Sequence, residues 1–200
     1  REDNIADQEM TVELSRIDLK QFKKVLPYLP DVEGWLGGSL HYVDSEGQMM
    51  LSADMNLDNF VYEKSPLGNW TMSGAYLPGD NNAHHVDGFI TYNDQEIIYM
   101  NGVYQADETG QENITGELEL QHFPLQVINP FIPEKMVGFT GDIDGTLSMT
   151  GSPMKPVLNG GLQLDSVLMI MPDMSVGFRF DNKQVKMQDS KMVFDKFNIY

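Results

Sequence analysis

The sequence predicts an all-β chain: one strongly curved, mostly antiparallel sheet with two short helices, near residues 18–26 and 123–132. Three observations predict it. Between Phe139 and Thr150 apolar and polar residues alternate without a break, the period of a strand with one dry and one wet face. Similar runs, separated by Gly, Pro, Asn and Asp turns, recur from Trp35 to Tyr200. Only two stretches carry short apolar segments that do not alternate.

The stretch VGFTGDIDGTLSMTGSPMKPVLNGGLQLD, from Val137 to Asp165, organises the rest. Phe139, Gly141, Ile143, Gly145, Leu147 and Met149 share one parity; Thr140, Asp142, Asp144, Thr146, Ser148 and Thr150 share the other. Gly151 to Pro156 breaks the run, because proline cannot donate to a ladder. Pairing resumes with Leu158, Gly160, Leu162 and Leu164 on one parity. A broad hairpin, apolar on one side, is expected here. Its apolar-parity glycines, Gly141, Gly145 and Gly160, suit strong bending.

In chain order, residues 1–15 are polar and acidic, with TVEL as a strand end. Asp18 opens the first helix; Leu19, Phe22, Val25 and Leu26 share a face, Lys20, Lys23 and Lys24 lie mostly opposite, and Pro27 and Pro30 end it. Strands follow at GWLGGSLHYV and at Met49, Leu51, Ala53, Met55 and Leu57, the latter continuing past a bulge to Phe60 and Tyr62. A turn is expected at Lys64-Ser-Pro66, then a strand through Trp70, Met72, Gly74 and Tyr76 and a polar break from Pro78 to His85. VDGFITYN, a turn at Asn93-Asp94, IIYMNGVYQ, a turn at Asp107 to Gln111, and ITGELELQHF complete the first half. The last strands are VLMIMP, SVGFRF, QVKMQD and KMVFDKFNIY.

The chain is expected to form one β-rich domain over residues 1–200, with pseudo-repeat units of about 17–121 and 122–200. DLKQFKKVLPYLPDVEG before GWLGGSL corresponds to FPLQVINPFIPEKMVG before GFTGDIDGTL, which aligns Gly34-Trp35 with Gly138-Phe139. Stacked units that extend one sheet give a quasi-one-dimensional architecture.

Composition narrows the function. With 30 acids against 13 bases the formal net charge is −17, the wrong sign for gripping nucleic acid or anionic membrane surfaces. No cysteine is present, which removes disulfide and thiolate chemistry. No stretch approaches the roughly 20 apolar residues of a membrane-spanning helix. The 14 methionines suit either core filling or a surface adapting to varied apolar ligands. Starting at Arg1 without a charged-then-apolar leader and stopping in mid-pattern, the chain reads as a fragment, any signal or anchor lying upstream.

Catalytic and metal readings compete with plainer ones. Asp142 and Asp144 fall on one strand face, the disposition of a hydrolase pair or a calcium site. They sit among Thr140 and Thr146, where a solvated face accounts for them. His84 and His85 with Asp80 and Asp87 contain ligand types for a metal, but lack the spacing of a known site and read as loop. His41 and His122 stand alone. Asn69-Trp-Thr71 and Asn113-Ile-Thr115 fit a glycosylation sequon that is common by chance. No nucleophile elbow or phosphate loop appears, so no catalytic residue, metal or cofactor is expected.

One phrase runs as an alternating strand, a proline-containing turn and Leu-x-Gly-x-Leu: Gly145-Thr-Leu147-Ser-Met149-Thr-Gly151-Ser-Pro153, then Pro156-Val-Leu158-Asn-Gly160-Gly-Leu162-Gln-Leu164. It resembles the repeats of the TamB family, within the wider AsmA-like group, as does the short helix before a glycine-led strand. The resemblance implies a sheet folded lengthwise into a trough (a β-taco), apolar inside and wet outside. It implies a non-enzymatic periplasmic bridge, anchored in the inner membrane through a segment outside this chain. Such a bridge carries phospholipid acyl chains towards an outer-membrane barrel of the BamA/TamA kind, or assists outer-membrane protein assembly and protein secretion. The expected lining is Met49, Leu51, Met55, Leu57, Phe139, Ile143, Leu147, Met149, Leu158, Leu162 and Leu164. Expected partners are phospholipid and that barrel, with no nucleic acid, and open sheet edges invite self-association of the fragment. Two other architectures fit the alternation: a closed β-sandwich binding module of a surface or secreted protein, and a carboxylate hydrolase around Asp142 and Asp144.

Overall fold

The computed structural model describes residues 8–45, 47–79, 82–106, 109–132 and 136–200. Its strands are β1 (Gln8–Asp18), β2 (Val32–Ser45), β3 (Gln48–Tyr62), β4 (Ser65–Pro78), β5 (Ala83–Tyr92), β6 (Gln95–Ala106), β7 (Glu112–Pro124), β8 (Gly138–Ser152), β9 (Lys155–Met171), β10 (Val176–Arg179), β11 (Gln184–Gln188) and β12 (Lys191–Val193). All belong to a single sheet. From β1 to β9 each strand pairs antiparallel with its sequence neighbour; β11 and β10 share the far edge of β9, and β12 follows β11. The sheet is curved and does not close into a barrel, as the sequence predicts. It is not the pair of sheets that a sandwich requires.

The two helical segments lie where they are expected but are shorter. Residues Leu19–Gln21 form a 3₁₀ turn that runs into one α-turn, α1 (Phe22–Val25), with the Asp18 carboxylate accepting from the Lys20 N–H at 3.0 Å. Phe123 and Pro124 complete β7, and the second helix is a 3₁₀ segment, Leu125–Phe131. A further 3₁₀ turn, Pro172–Met174, was not foreseen.

Turn chemistry corrects two strand boundaries. The β3–β4 hairpin turns at Glu63-Lys64, both with positive φ, and not at Lys64-Ser-Pro66. Two consecutive left-handed residues match the twist of the flanking strands, whereas proline cannot adopt that φ, so Pro66 falls inside β4. Asn93-Asp94 uses the same turn, as expected. The break foreseen from Pro78 to His85 is narrower, since β4 runs to Pro78 and β5 begins at Ala83. Part of the Asp107–Gln111 turn lies outside the described residues.

A line of bulges crosses the sheet. Arg16, Asn59, His122 and Ser166 take left-handed conformations inside strands, each at a register shift. Several are held by a side chain of the next strand or the loop leading into it: Asn69 Oδ1 accepts from the Asn59 N–H (2.8 Å), Asp144 Oδ1 from the His122 N–H (2.7 Å), and Asn182 Oδ1 from the Ser166 N–H (2.9 Å). Such bulges bend a strand and increase its twist. The Ser166 bulge also keeps β9 continuous from Lys155 to Met171, where the sequence suggests a break.

These devices recur at an offset of about one hundred residues. Arg16, Gly34, Gly38, Asn59 and Asn69 in β1–β4 correspond to His122, Gly141, Gly145, Ser166 and Asn182 towards the C-terminus. The correspondence sets Gly34 against Gly141, three residues beyond Gly138, with which the sequence phrase aligns it.

Pairing places one apolar set on one face. Met55, Met72, Ile90, Ile98, Leu120, Gly145, Leu162 and Val185 stand opposite one another strand by strand. The next row is Leu40, Ala53, Gly74, Gly88, Met100, Leu118, Leu147, Gly160 and Met187. One row of the rear face carries Ser39, Asp54, Ser73, Phe89, Tyr99, Glu119, Thr146 and Lys186, and the same face also bears Met50, Leu77 and Val103. Glycines at the centre of the apolar face make room for its fold: a Cβ on Gly145 would meet the Gly161 carbonyl, and one on Gly160 the Thr146 carbonyl.

Candidate functional site

The apolar face is covered at one end and open at the other. Around β8, β9 and β11 the buried cluster holds Ile143, Leu147, Leu162, Leu164, Val167 and Val185, with Leu125 from the second helix. The cover comes from the chain itself. Residues 194–200 fold back so that Arg179 and Tyr200 exchange backbone hydrogen bonds at 3.0 Å each, and Phe180, Phe194 and Phe197 pack as an aromatic group. Asp181 fastens this return, accepting from Lys183 Nζ (2.8 Å) and from the Asn198 N–H (3.0 Å). Those two donors hold the Asp181 carboxyl below its ordinary range, and the carboxylate in turn raises Lys183.

Along β2–β6 the same face is bare. Met72 is 48% exposed, Leu51, Val86 and Met100 40% each, and Leu40 37%. Two adjoining apolar hollows run along it. One of about 260 Å³ is floored by Leu51, Ala53, Tyr76, Val86, Ile98 and Met100; the other, about 430 Å³, by Leu36, Met55, Leu57, Trp70 and Phe123. Met72 and Ile90 line both. Together they fall within the size of a small-ligand site. The Leu125–Phe131 segment roofs the larger hollow, with Phe131 against the Tyr62 ring at 4.6 Å and Val127 buried. The Asn129 side chain holds that roof to β8, bonding both the N–H and the carbonyl of Phe139.

Every expected lining residue lies on this face, but they divide. Met49, Leu51, Met55 and Leu57 belong to the open part, with Leu51 the most accessible of the four. Ile143, Leu147, Leu162 and Leu164 are sealed in the core at 4–8% exposure, and Phe139 and Leu158 pack against them. Met149 is half-buried. The C-terminal residues are therefore structural packing, closed over by Leu125 and Ile128 of the second helix and by Phe180 and Phe197. Sequence reasoning missed Val86, Ile90, Ile98 and Met100 as lining. Their alternation was visible, but nothing local distinguishes an open wall from a covered one.

The other candidates resolve into structural roles. Asp144 Oδ1 caps the bulge N–H of His122 and lies 3.0 Å from His122 Nδ1. Asp142 pairs across to Pro124 and Asp165. His84 and His85 stand in β5, not in a loop, and adjacent strand residues face opposite sides, so they do not converge. Asp80 lies outside the described residues. Among the described residues no group of three His, Cys, Asp or Glu side chains is placed to hold a metal, and no helix is long and apolar enough to cross a membrane. His41 accepts or donates to Thr11 Oγ1 at 3.0 Å, and Asn69 is engaged in the bulge line.

No family model, no curated protein and no solved structure matches this chain. The functional reading rests on the trough.

Proposed function

We propose that this chain is a non-enzymatic segment of a TamB-like periplasmic bridge that shelters phospholipid acyl chains on the open part of its apolar face. The observation that carries the reading is the pair of adjoining apolar rows from Leu40 to Met100, exposed along five adjacent strands, whereas the exposed apolar side chains of the rear face, Met50, Leu77 and Phe89, stand among polar ones. A contiguous exposed apolar surface of this kind calls for a ligand or partner. Each methylene removed from water there contributes about 0.8 kcal/mol, so a chain of a dozen carbons is retained without any directional contact. Methionines at 55, 72 and 100 let the wall adapt to tails of differing shape. Inner-membrane anchoring through a segment outside this chain, a barrel partner in the outer membrane and a part in outer-membrane protein assembly belong to the same proposal and follow from the family resemblance.

The test is direct. Organic extraction of the purified chain, followed by mass spectrometry, is expected to release phospholipid. A solvatochromic dye bound to the chain is expected to be displaced by a lysophospholipid. Release of no amphiphile together with no dye binding overturns the reading.

A further inference from the structure

Beyond the apolar wall, towards the rim of the same face, the residues change character. Two positions past Gly74, Val86 and Gly102 stand Tyr76, His84 and Tyr104, on three successive strands. Tyr76 Oη and His84 Nδ1 are 2.6 Å apart with their rings nearly parallel, and His84 lies 5.5 Å from the Tyr104 ring. The Tyr104 hydroxyl donates to Glu112 Oε1 at 2.9 Å. Tyr76 also lines the 260 Å³ hollow, so this polar row begins where the apolar wall ends.

We propose that Tyr76, His84, Tyr104 and Glu112 form a headgroup site for an amphiphile carrying an ammonium group, its tail lying on Met72, Val86 and Met100. This rests on the trough reading and names the class of ligand the trough takes. Three features select a cation. Tyrosine faces attract ammonium groups through the ring quadrupole, and more strongly where water is partly excluded. The Glu112 carboxylate supplies a full negative charge while the Tyr104 hydroxyl occupies one of its oxygens, fixing its position. Most decisively, no lysine or arginine occurs between Lys64 and Lys135, the span that builds β4 to β7. Along β4 to β7 the side chains that carry full charge are carboxylates, which draw in cationic heads and repel anionic ones. A zwitterionic phospholipid meets the requirement through its amine; a fatty acid or a phosphatidylglycerol does not.

The experiment compares lysophosphatidylethanolamine with lysophosphatidylglycerol of the same tail, titrated against the dye-loaded chain at low salt. The amine-bearing lipid is expected to bind about tenfold more tightly, the size of a partly desolvated cation–π contact joined to one carboxylate. Glu112→Gln, at an exposed position, and Tyr104→Phe are each expected to narrow the preference to about twofold. Both variants are expected to leave binding of the uncharged-head probe dodecyl maltoside unchanged. Equal binding of the two lysolipids by the parent chain overturns the headgroup site and leaves the trough standing. Failure of all three probes to bind overturns the trough and this site with it. A preference that survives both substitutions overturns the assignment to these residues.

Discussion

Asn129 completes the hydrogen bonding of Phe139 as a neighbouring strand would: its Nδ2 donates to the Phe139 carbonyl at 2.8 Å, and its Oδ1 accepts from the Phe139 N–H at 2.7 Å. Phe139 lies at the start of β8, and no other described strand pairs with its β7 side there. One side chain thus substitutes for a missing ladder rung and fixes the 3₁₀ roof over the larger hollow.

Asn129→Ala leaves both Phe139 groups without a protein partner at a half-buried position. Leaving such a group unsatisfied costs about 1–3 kcal/mol, less where water reaches it. A loss of about 2 kcal/mol in denaturant unfolding is expected, with faster hydrogen exchange confined at first to the second helix and the start of β8.

Two substitutions on the same face are expected to separate in effect. Leu162→Ala removes a side chain at 4% exposure from the covered end and is expected to cost about 2–5 kcal/mol. Met72→Glu alters a side chain at 48% exposure and is expected to change stability by less than about 1 kcal/mol. It places a charge between the two hollows, however, so binding of a hydrophobic dye is expected to fall several-fold. Chemical denaturation and dye titration on both variants check the division of the face into core and open wall.

Much of this was legible because β-structure announces its faces locally. Period two alone puts Met55, Leu57, Ile143 and Leu162 on one side, and the Asn93-Asp94 turn is written in two residues. The rest depends on contacts distant in sequence. Leu147 and Leu51 occupy equivalent parities, and it takes the packing of Leu125, Phe180 and Phe197 against the cluster around Leu147 to make one buried and the other open. Bulges defeat simple counting as well. Gly34 corresponds to Gly141, three residues past the glycine that a phrase-by-phrase alignment selects, because both stand at register shifts that the phrase does not reveal. His84 was hidden by its setting, since a Gly/Asn-rich run beside a second histidine reads as loop until pairing with Pro78 and Tyr104 shows a strand.

Gly145 has a φ of +151° and sits so close to β9 that a Cβ would strike the Gly161 carbonyl oxygen and crowd the Leu162 backbone. Gly145→Ala therefore meets both a disfavoured dihedral and a backbone obstacle that no rotamer relieves. Destabilisation of about 3 kcal/mol or more is expected, larger than for Ala at the exposed turn glycine Gly47, where nothing stands within 4 Å. Thermal melts of Gly145→Ala and Gly47→Ala check the ranking, the first combining a φ of +151° with a backbone obstacle and the second only a φ of +79° in open space.

The C-terminal return responds to pH through Asp181 and Lys183. Asp181 is depressed in the folded chain, chiefly by the hydrogen bond from Lys183 and then by the Asn198 N–H. A depressed carboxyl contributes stability that is present above its unfolded value, about 3.9, and is lost as pH falls through the lower folded value. Lys183 is raised, chiefly by Asp181, so its contribution is present below its unfolded value, about 10.4, and is lost as pH climbs through the folded one. The clip is therefore at full strength between those limits and weakens outside them on either side. Exchange of the Arg179, Asp181 and Tyr200 amides, all bonded across the return, is expected to accelerate below about pH 4 beyond the intrinsic pH dependence of exchange. Asp181→Asn is expected to abolish that acid-induced opening while raising exchange at neutral pH. Because the return packs Phe197 against the buried cluster, its release at acid pH is also expected to raise hydrophobic-dye binding, as the covered end of the face joins the open one.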